Sequence, residues 1–302
     1  MINPAISFAI NFDTRFRLST LGLTHNEIPL FQAMHSALVG LNGLFQIEEY
    51  HGNSHQVTFA GNGSYARTQA RCELSDLMII TYSPKSLHIR LTYLQAKSER
   101  ATLHSVCGRQ FSANLEQWFL LSERPTILGI GPFNPPENLL SSALLPSVGS
   151  FAFFYKDHVG HFQTYYATAN HLSPPSVYSQ KNGKLVAKDS CMVVTTKGHA
   201  ECLAACGNKS FAESLYRLEI GTPIHCAIPQ SQSTRNWLAA NLRSQIQSAR
   251  ATDKSSELAQ ELLGLLDSEE TQTLSGSFGA KNLIIIRSDS EPNSVIRTEA
   301  TQ

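Results

Sequence analysis

The sequence lacks a long apolar run, an excess of either charge and a dense set of cysteines. No apolar segment approaches the roughly 20 residues of a membrane-spanning helix, and residues 1–18 lack a charged segment followed by an apolar block. We therefore expect a cytoplasmic protein without membrane contact. Basic and acidic residues both number 24, which argues against binding of polyanions through bulk charge. Six cysteines at scattered spacings in 302 residues indicate reduced thiols.

The residues that are present suffice for a full core. Hydrophobic residues make up 42% of the chain and charged residues 16%, a balance typical of a packed globule. The charges are unevenly distributed, because residues 60–110 contain seven basic and three acidic side chains. Residues 251–302 contain nine acidic and four basic ones. A local basic surface is therefore compatible with zero net charge.

Apolar periodicity predicts strands and helices in mixed order. Residues 28–47 have an apolar stripe at helical spacing, with Thr24 and Glu27 as a capping box, and predict a helix. In residues 5–12 apolar and other residues alternate, which predicts an N-terminal edge strand. Further helices are predicted at 114–122, 210–221, 234–250 and 256–268. Further strands are predicted at 57–59, 77–81, 87–97, 126–131, 150–155, 161–169, 191–198 and 281–288.

This mixed order predicts an α/β fold with a central mixed sheet flanked by helices. A boundary is expected near residue 150. It separates a core of residues 1–150 from residues 151–302, which complete the sheet or form an accessory layer.

Two predicted strands within "CELSDLMIITYSPKSLHIRLTYLQAK" bring polar side chains to one sheet edge. Asp76 precedes the first strand, and Gln95 and Lys97 project together from the end of the second because side chains alternate along a strand. Antiparallel pairing through a turn near residues 83–85 would place Asp76 beside them. Carboxylate and carbonyl oxygens suit Mg²⁺ or Mn²⁺, and a lysine ammonium stabilises charge on a phosphate under attack. The pattern predicts a phosphodiesterase-type site.

This segment resembles the PD-(D/E)xK nuclease superfamily, which has the restriction-endonuclease-like fold. Asp76 matches the Asp at the head of one strand, and Gln95 and Lys97 match the (Asp/Glu)-x-Lys of the next strand, with Gln in place of an acid. "CELSDLMII" followed by "LQAK" is also similar to a group of bacterial proteins. The resemblance covers residues 28–130. It implies a restriction-endonuclease-like core with C-terminal additions, and Mg²⁺-dependent or Mn²⁺-dependent endonuclease activity on DNA in restriction or antiphage defence.

The resemblance also implies roles for individual residues. Gln95 removes one formal charge from the metal site, so another acid is expected to compensate. Glu73 ranks slightly above Glu48 and Glu49, which lie near the end of the predicted first helix, where the superfamily often has a Glu. The implied catalytic residues are Asp76, Gln95, Lys97 and Glu73. The implied metal ligands are Asp76, Gln95 and Glu48. The expected phosphate contacts are Arg71, Arg100 and Arg109.

Other interpretations remain open. One is a catalytically inactive nuclease-fold subunit that binds nucleic acid or a protein partner as a scaffold. Another is an interaction protein of unrelated α/β fold, in which Asp76 and Lys97 would lie far apart. A chain of zero net charge that binds DNA is also expected to act as a homodimer or with a partner protein of a defence system.

The cysteines and histidines of residues 191–226 offer zinc ligands without the spacing of a strong zinc motif. Cys202 and Cys206, four residues apart, instead predict one buried helical face. Cys107 and His104 are formally a nucleophile pair, although a polar turn explains them equally well.

Overall fold

The structure is a computed structural model that describes residues 3–42, 56–103, 105–131, 133–174, 182–188, 191–248, 253–266 and 280–290. The helices are α1 (Pro4–Ser19), α2 (Glu27–Asn42), α3 (Leu115–Glu123), α4 (Asn208–Tyr216), α5 (Gln232–Ser248) and α6 (Asp253–Leu266). The strands are β1 (Gln56–Ala60), β2 (Gln69–Glu73), β3 (Ser75–Ser83), β4 (His88–Thr102), β5 (Gln110–Asn114), β6 (Leu128–Gly129), β7 (Gly149–Lys156), β8 (Phe162–Thr168), β9 (Asn182–Val186), β10 (Met192–Thr196), β11 (His199–Cys206), β12 (Thr222–Pro223) and β13 (Ala280–Arg287). Within these ranges, none of the helices combines the length and apolar character that a bilayer crossing requires.

Eight strands form one mixed sheet at the centre of the molecule. Its order is β10-β11-β8-β7-β4-β3-β13, and β12 pairs with β4. β3 is antiparallel to β4 and parallel to β13, while β4 is parallel to β7. Strands from both sides of residue 150 thus belong to the same sheet. Two smaller sheets, β2-β1-β6 and β5-β9, lie outside it.

Helices cover both faces of the large sheet. Every residue of β3 is buried, and alternate side chains enter two different cores. Leu77 and Ile79 pack in one core with α1, α2 and α4. Met78 and Ile80 pack in the other with α3, α5 and α6. The predicted α/β fold class with a central mixed sheet flanked by helices is confirmed.

The N-terminal segment is a helix, so the predicted edge strand is wrong. Buried residues of α1 recur every three or four positions at Ala5, Phe8, Ala9, Phe12 and Phe16, which is the spacing of a helical face. The Asn3 side chain caps the first turn by accepting from the Ala5 amide at 2.9 Å, and Pro4 occupies the first helical position. These start signals outweigh the short alternation that suggested a strand.

Three smaller predictions also need correction. α2 starts at Glu27, and the Asn26 side chain accepts from the Ile28 amide at 3.3 Å, so Asn26 replaces Thr24 as the cap. The predicted strand at 126–131 contracts to β6, which is two residues long. Cys202 and Cys206 lie on strand β11, not on a helix, because this segment pairs with β8 and β10. Residues 43–47 of the predicted first helix lie outside the described residues.

Helix α3 depends on a side-chain cap. The Asn114 carboxamide oxygen accepts from the amides of Glu116 at 2.9 Å and Gln117 at 3.4 Å. We expect Asn114→Ala to lower the free energy of unfolding by about 1 kcal/mol, because two amides of the first turn lose their acceptor. Asn114→Asp, which retains an acceptor oxygen, should lose less than half as much. Urea unfolding of both variants checks this, and equal losses would contradict the capping role.

Candidate functional site

Asp76 and Gln95 contact each other across the β3–β4 hairpin. The antiparallel register pairs Leu77 with Leu94, which places Asp76 opposite Gln95 one step further along. The Gln95 side-chain amide donates to Asp76 Oδ2, and the Ala96 backbone amide donates to the same oxygen at 2.9 Å. Asp76 is 6% exposed and Gln95 1% exposed. The hairpin thus brings a buried carboxylate and a buried amide together at its open end.

Lys97 forms an ion pair with Glu27, a residue outside the predicted site. Its Nζ lies 3.2 Å from Glu27 Oε1 in the first turn of α2, and the two side chains are 16% and 40% exposed. The sequence signal for Glu27 is an acid at a helix start, a pattern that predicts only a capping role. The structure therefore supplies one acid from α2, at its beginning instead of its end.

The other proposed acids occupy different positions. Glu73 ends β2, pairs with Gln56 of β1 and is half-buried. β2 belongs to a separate sheet from β3, and the chain bends at Leu74 between them. Side-chain alternation along a single strand therefore does not relate Glu73 to Asp76. Glu48 and Glu49 lie outside the described residues.

The amide oxygen of Gln95 is the feature that fits a cation. Gln95 Oε1 is buried and has no hydrogen-bond partner among the residues that the structure describes. An orphaned carbonyl oxygen beside a carboxylate is a pair of hard ligands, and Mg²⁺ is commonly held by one or two protein oxygens while it keeps several waters. Among the described residues, no three His, Cys, Asp or Glu side chains converge as metal ligands. The residues present fit a sparsely ligated Mg²⁺ or Mn²⁺ and not a dedicated protein cage.

The basic residues of segment 60–110 differ in exposure and in ion pairing. Arg71, Arg100 and Arg109 are exposed. Arg71, whose guanidinium donates to Gln56, lines an open cleft across β1, β2 and β6. Arg90 is 1% exposed and belongs to the interior. Two further basic residues are ion-paired, Arg67 with Glu116 at 2.5 Å and Lys85 with Asp289 at 3.6 Å. The basic excess in the sequence is thus only partly a basic surface.

A cluster of three histidines lies at the other end of the hairpin. The ring of His225 is 4.5 Å from that of His88, at the start of β4, and 6.3 Å from that of His199, at the start of β11. Arg90 lies next to this cluster and donates to the carbonyl oxygens of Gly221 at 2.8 Å and Ala200 at 3.0 Å.

Burial lowers the pKa of all three imidazoles, and neighbouring positive charge adds to the effect. The pKa of His225 falls to about 4. No local sequence pattern predicts this cluster, because its members come from three distant segments.

The cysteines that were candidate zinc ligands differ in their exposure to solvent. Cys202 is fully buried on β11, and burial raises the pKa of its thiol well above the ordinary value. Cys191 and Cys226 are exposed. In the described ranges, which include residues 191–248, these side chains do not form a three-ligand group.

Comparison with models of known families, with curated proteins and with solved structures gives no match to the chain.

Proposed function

We propose that the protein is a metal-dependent nuclease whose centre consists of Asp76, Gln95 and Lys97. The observation that carries the proposal is the contact between the Asp76 carboxylate and the Gln95 side chain, whose second polar atom, Oε1, is buried without a partner in the described part of the chain. Lys97 follows two residues later on the same strand. This arrangement supports the resemblance of the hairpin to the PD-(D/E)xK superfamily, and with it a DNA phosphodiester substrate. A role in bacterial restriction or antiphage defence, and action as a homodimer or with a partner, follow from that resemblance alone.

The roles of the residues follow from their chemistry. Asp76 and Gln95 would hold Mg²⁺ or Mn²⁺ through a carboxylate and a carbonyl oxygen, with Glu73 or Glu48 as a further acid. When bound, the cation supplies Lewis-acid stabilisation of the phosphate and lowers the pKa of water. The Lys97 ammonium would stabilise the negative charge that develops on the phosphate. Arg71, Arg100 and Arg109, which are exposed, would contact the phosphate backbone.

Cleavage assays test this proposal. Supercoiled plasmid, linear duplex and single-stranded DNA are incubated with wild type, Asp76→Asn and Lys97→Ala in the presence of Mg²⁺ or Mn²⁺. We expect metal-dependent cleavage by wild type and a fall in rate of about 100-fold in each variant, because each change removes one charged group from the centre. Lys85→Ala, an exposed lysine of the same hairpin, is the matched control and should cut at the wild-type rate. Equal cleavage by all four proteins would refute the assignment.

A scaffold without catalysis is the second candidate. It is favoured by the closed hydrogen bonding of Asp76, which is 6% exposed and accepts from Gln95 and Ala96. A scaffold should bind nucleic acid or a protein partner in the presence of EDTA, with equal affinity in wild type and Asp76→Asn. Fluorescence anisotropy with a labelled oligonucleotide separates the two candidates, because the nuclease should also cut once metal is added.

A further inference from the structure

The side chain of Lys97 leaves the sheet face to which its strand position assigns it. In the β4–β7 ladder Lys97 pairs with Phe153 as Gln95 pairs with Phe151, and both phenylalanines pack in the core that contains Met78. Lys97 therefore starts on the face of Gln95. Its ammonium instead meets Glu27 of α2, a helix that packs in the core on the opposite face.

The edge of the sheet leaves room for this crossing. β3 begins at Ser75, which continuation of the register places opposite Ala96. Lys97 is thus the first residue of β4 beyond the start of β3, and its long side chain can pass around that end. A lysine inside the paired region would have to cross a neighbouring strand to reach α2.

Glu27 is held in place by the start of α2 and by the loop before it. A negative side chain in the first turn is favoured by the positive end of the helix dipole. The His25 ring lies 5.1 Å from that of Phe162 on β8 and close to Glu99 on β4. The segment from His25 to Glu27 therefore lies against β8 and β4, and the Glu27 carboxylate sets where the Lys97 ammonium rests.

We propose that Glu27 is a positioning residue that restrains Lys97 in an autoinhibitory contact, holding the ammonium at α2 and away from Asp76 and Gln95. This inference rests on the proposed function. A partly exposed ion pair is weak, so a phosphodiester at the centre competes with Glu27 for the ammonium. Binding of the nucleic acid then returns Lys97 to the face on which Gln95 lies, and the lysine enters the centre together with its substrate.

The test compares wild type with Glu27→Gln, which removes the charge and keeps the size of the side chain. We expect DNA cleavage to rise about two- to fivefold, the change that loss of a weak ion pair allows. We also expect faster reductive methylation of Lys97 in the metal-free protein, measured by peptide mass spectrometry against Lys85 as internal reference. Glu213→Gln, which breaks the ion pair between Glu213 on α4 and Arg217 just after that helix, is the matched control and should change neither quantity.

The other outcomes overturn the inference in distinguishable ways. A fall in cleavage of tenfold or more in Glu27→Gln would make Glu27 part of the catalytic set. Unchanged cleavage and unchanged methylation would show that the ion pair restrains nothing. A gain that persists in Glu27→Gln combined with Lys97→Ala would show that the effect bypasses the lysine. Absence of cleavage in every protein, with Lys97 methylated faster in Glu27→Gln, would refute the proposed function and the inhibition while the contact itself would stand.

Discussion

Replacement of Arg90 with methionine should lower the free energy of unfolding by about 3 to 5 kcal/mol, the usual result when one partner of a buried charge network is removed. Arg90 is 1% exposed and donates to the carbonyl oxygens of Gly221 and Ala200. The carboxylates of Glu201 and Glu219, both buried, balance its charge. Methionine fills much of the same space, but it leaves two acids and two carbonyls without their cation.

The charge of Arg90 persists at neutral pH, which is why its loss is costly. Burial lowers the pKa of the guanidinium to about 10, and the two acids oppose that shift. Urea unfolding at pH 7 measures the loss. Lys85→Ala is the comparison, because the 3.6 Å pair of Lys85 with Asp289 is exposed and such pairs contribute about 0 to 1 kcal/mol. A loss below about 1 kcal/mol in Arg90→Met would show that the network is not needed for stability.

The second large effect concerns the dependence of stability on pH. Burial lowers the pKa of His225 to about 4 from its ordinary 6.5, and the charges of His88, His199, Arg90 and Arg235 add to the shift. The unfolded chain therefore binds a proton first as the pH falls. The contribution of neutral His225 to stability is complete above pH 6.5 and is lost as the pH falls toward 4. We expect a loss of about 2 kcal/mol between pH 7 and pH 5 from this group.

A histidine variant isolates that contribution from the titration of carboxylates. Urea unfolding of wild type and His225→Gln at pH 7 and pH 5 gives the two pH-dependent losses, and the variant should lose about 2 kcal/mol less than wild type over this interval. His158→Gln alters an exposed histidine and should keep the wild-type dependence. If His225→Gln loses as much stability as wild type between pH 7 and pH 5, His225 is not the group that senses the pH.

The parts of the fold that could be predicted from sequence are those fixed by local pattern. β3 is buried on both faces, and its continuous apolar run predicted that. Helix α3 starts where Asn114 caps it, and α5 and α6 follow apolar stripes. The strand prediction for α1 is wrong because the alternating residues 5–12 fit both a strand and part of a helical stripe. The side-chain cap at Asn3 is the signal that favours the helix.

In the candidate site, too, the contacts fixed by local spacing could be predicted, and those that depend on long-range packing could not. Hairpin spacing predicted that Asp76 and Gln95 would approach, since a turn and two strands fix their register. The pairing of Lys97 with Glu27 was missed, because it depends on how α2 packs across the sheet. Arg90 was counted as part of a basic surface. Its burial follows from β11 and β12, which come more than one hundred residues later and which no local pattern connects to it.

The two neighbours of β3 reach it at very different times during synthesis. β4 follows after a short turn, whereas β13 is made about two hundred residues later and pairs with β3 from Ser75 to Tyr82. Until then, one side of an apolar strand exposes its unpaired amides and carbonyls, and such an edge is a template for pairing with other chains. The nascent protein thus passes through a long interval in which the strand that begins with Ser75 and Asp76 is half paired. Its yield in a cell should depend on chaperones that shield that edge more than on the stability of the finished sheet.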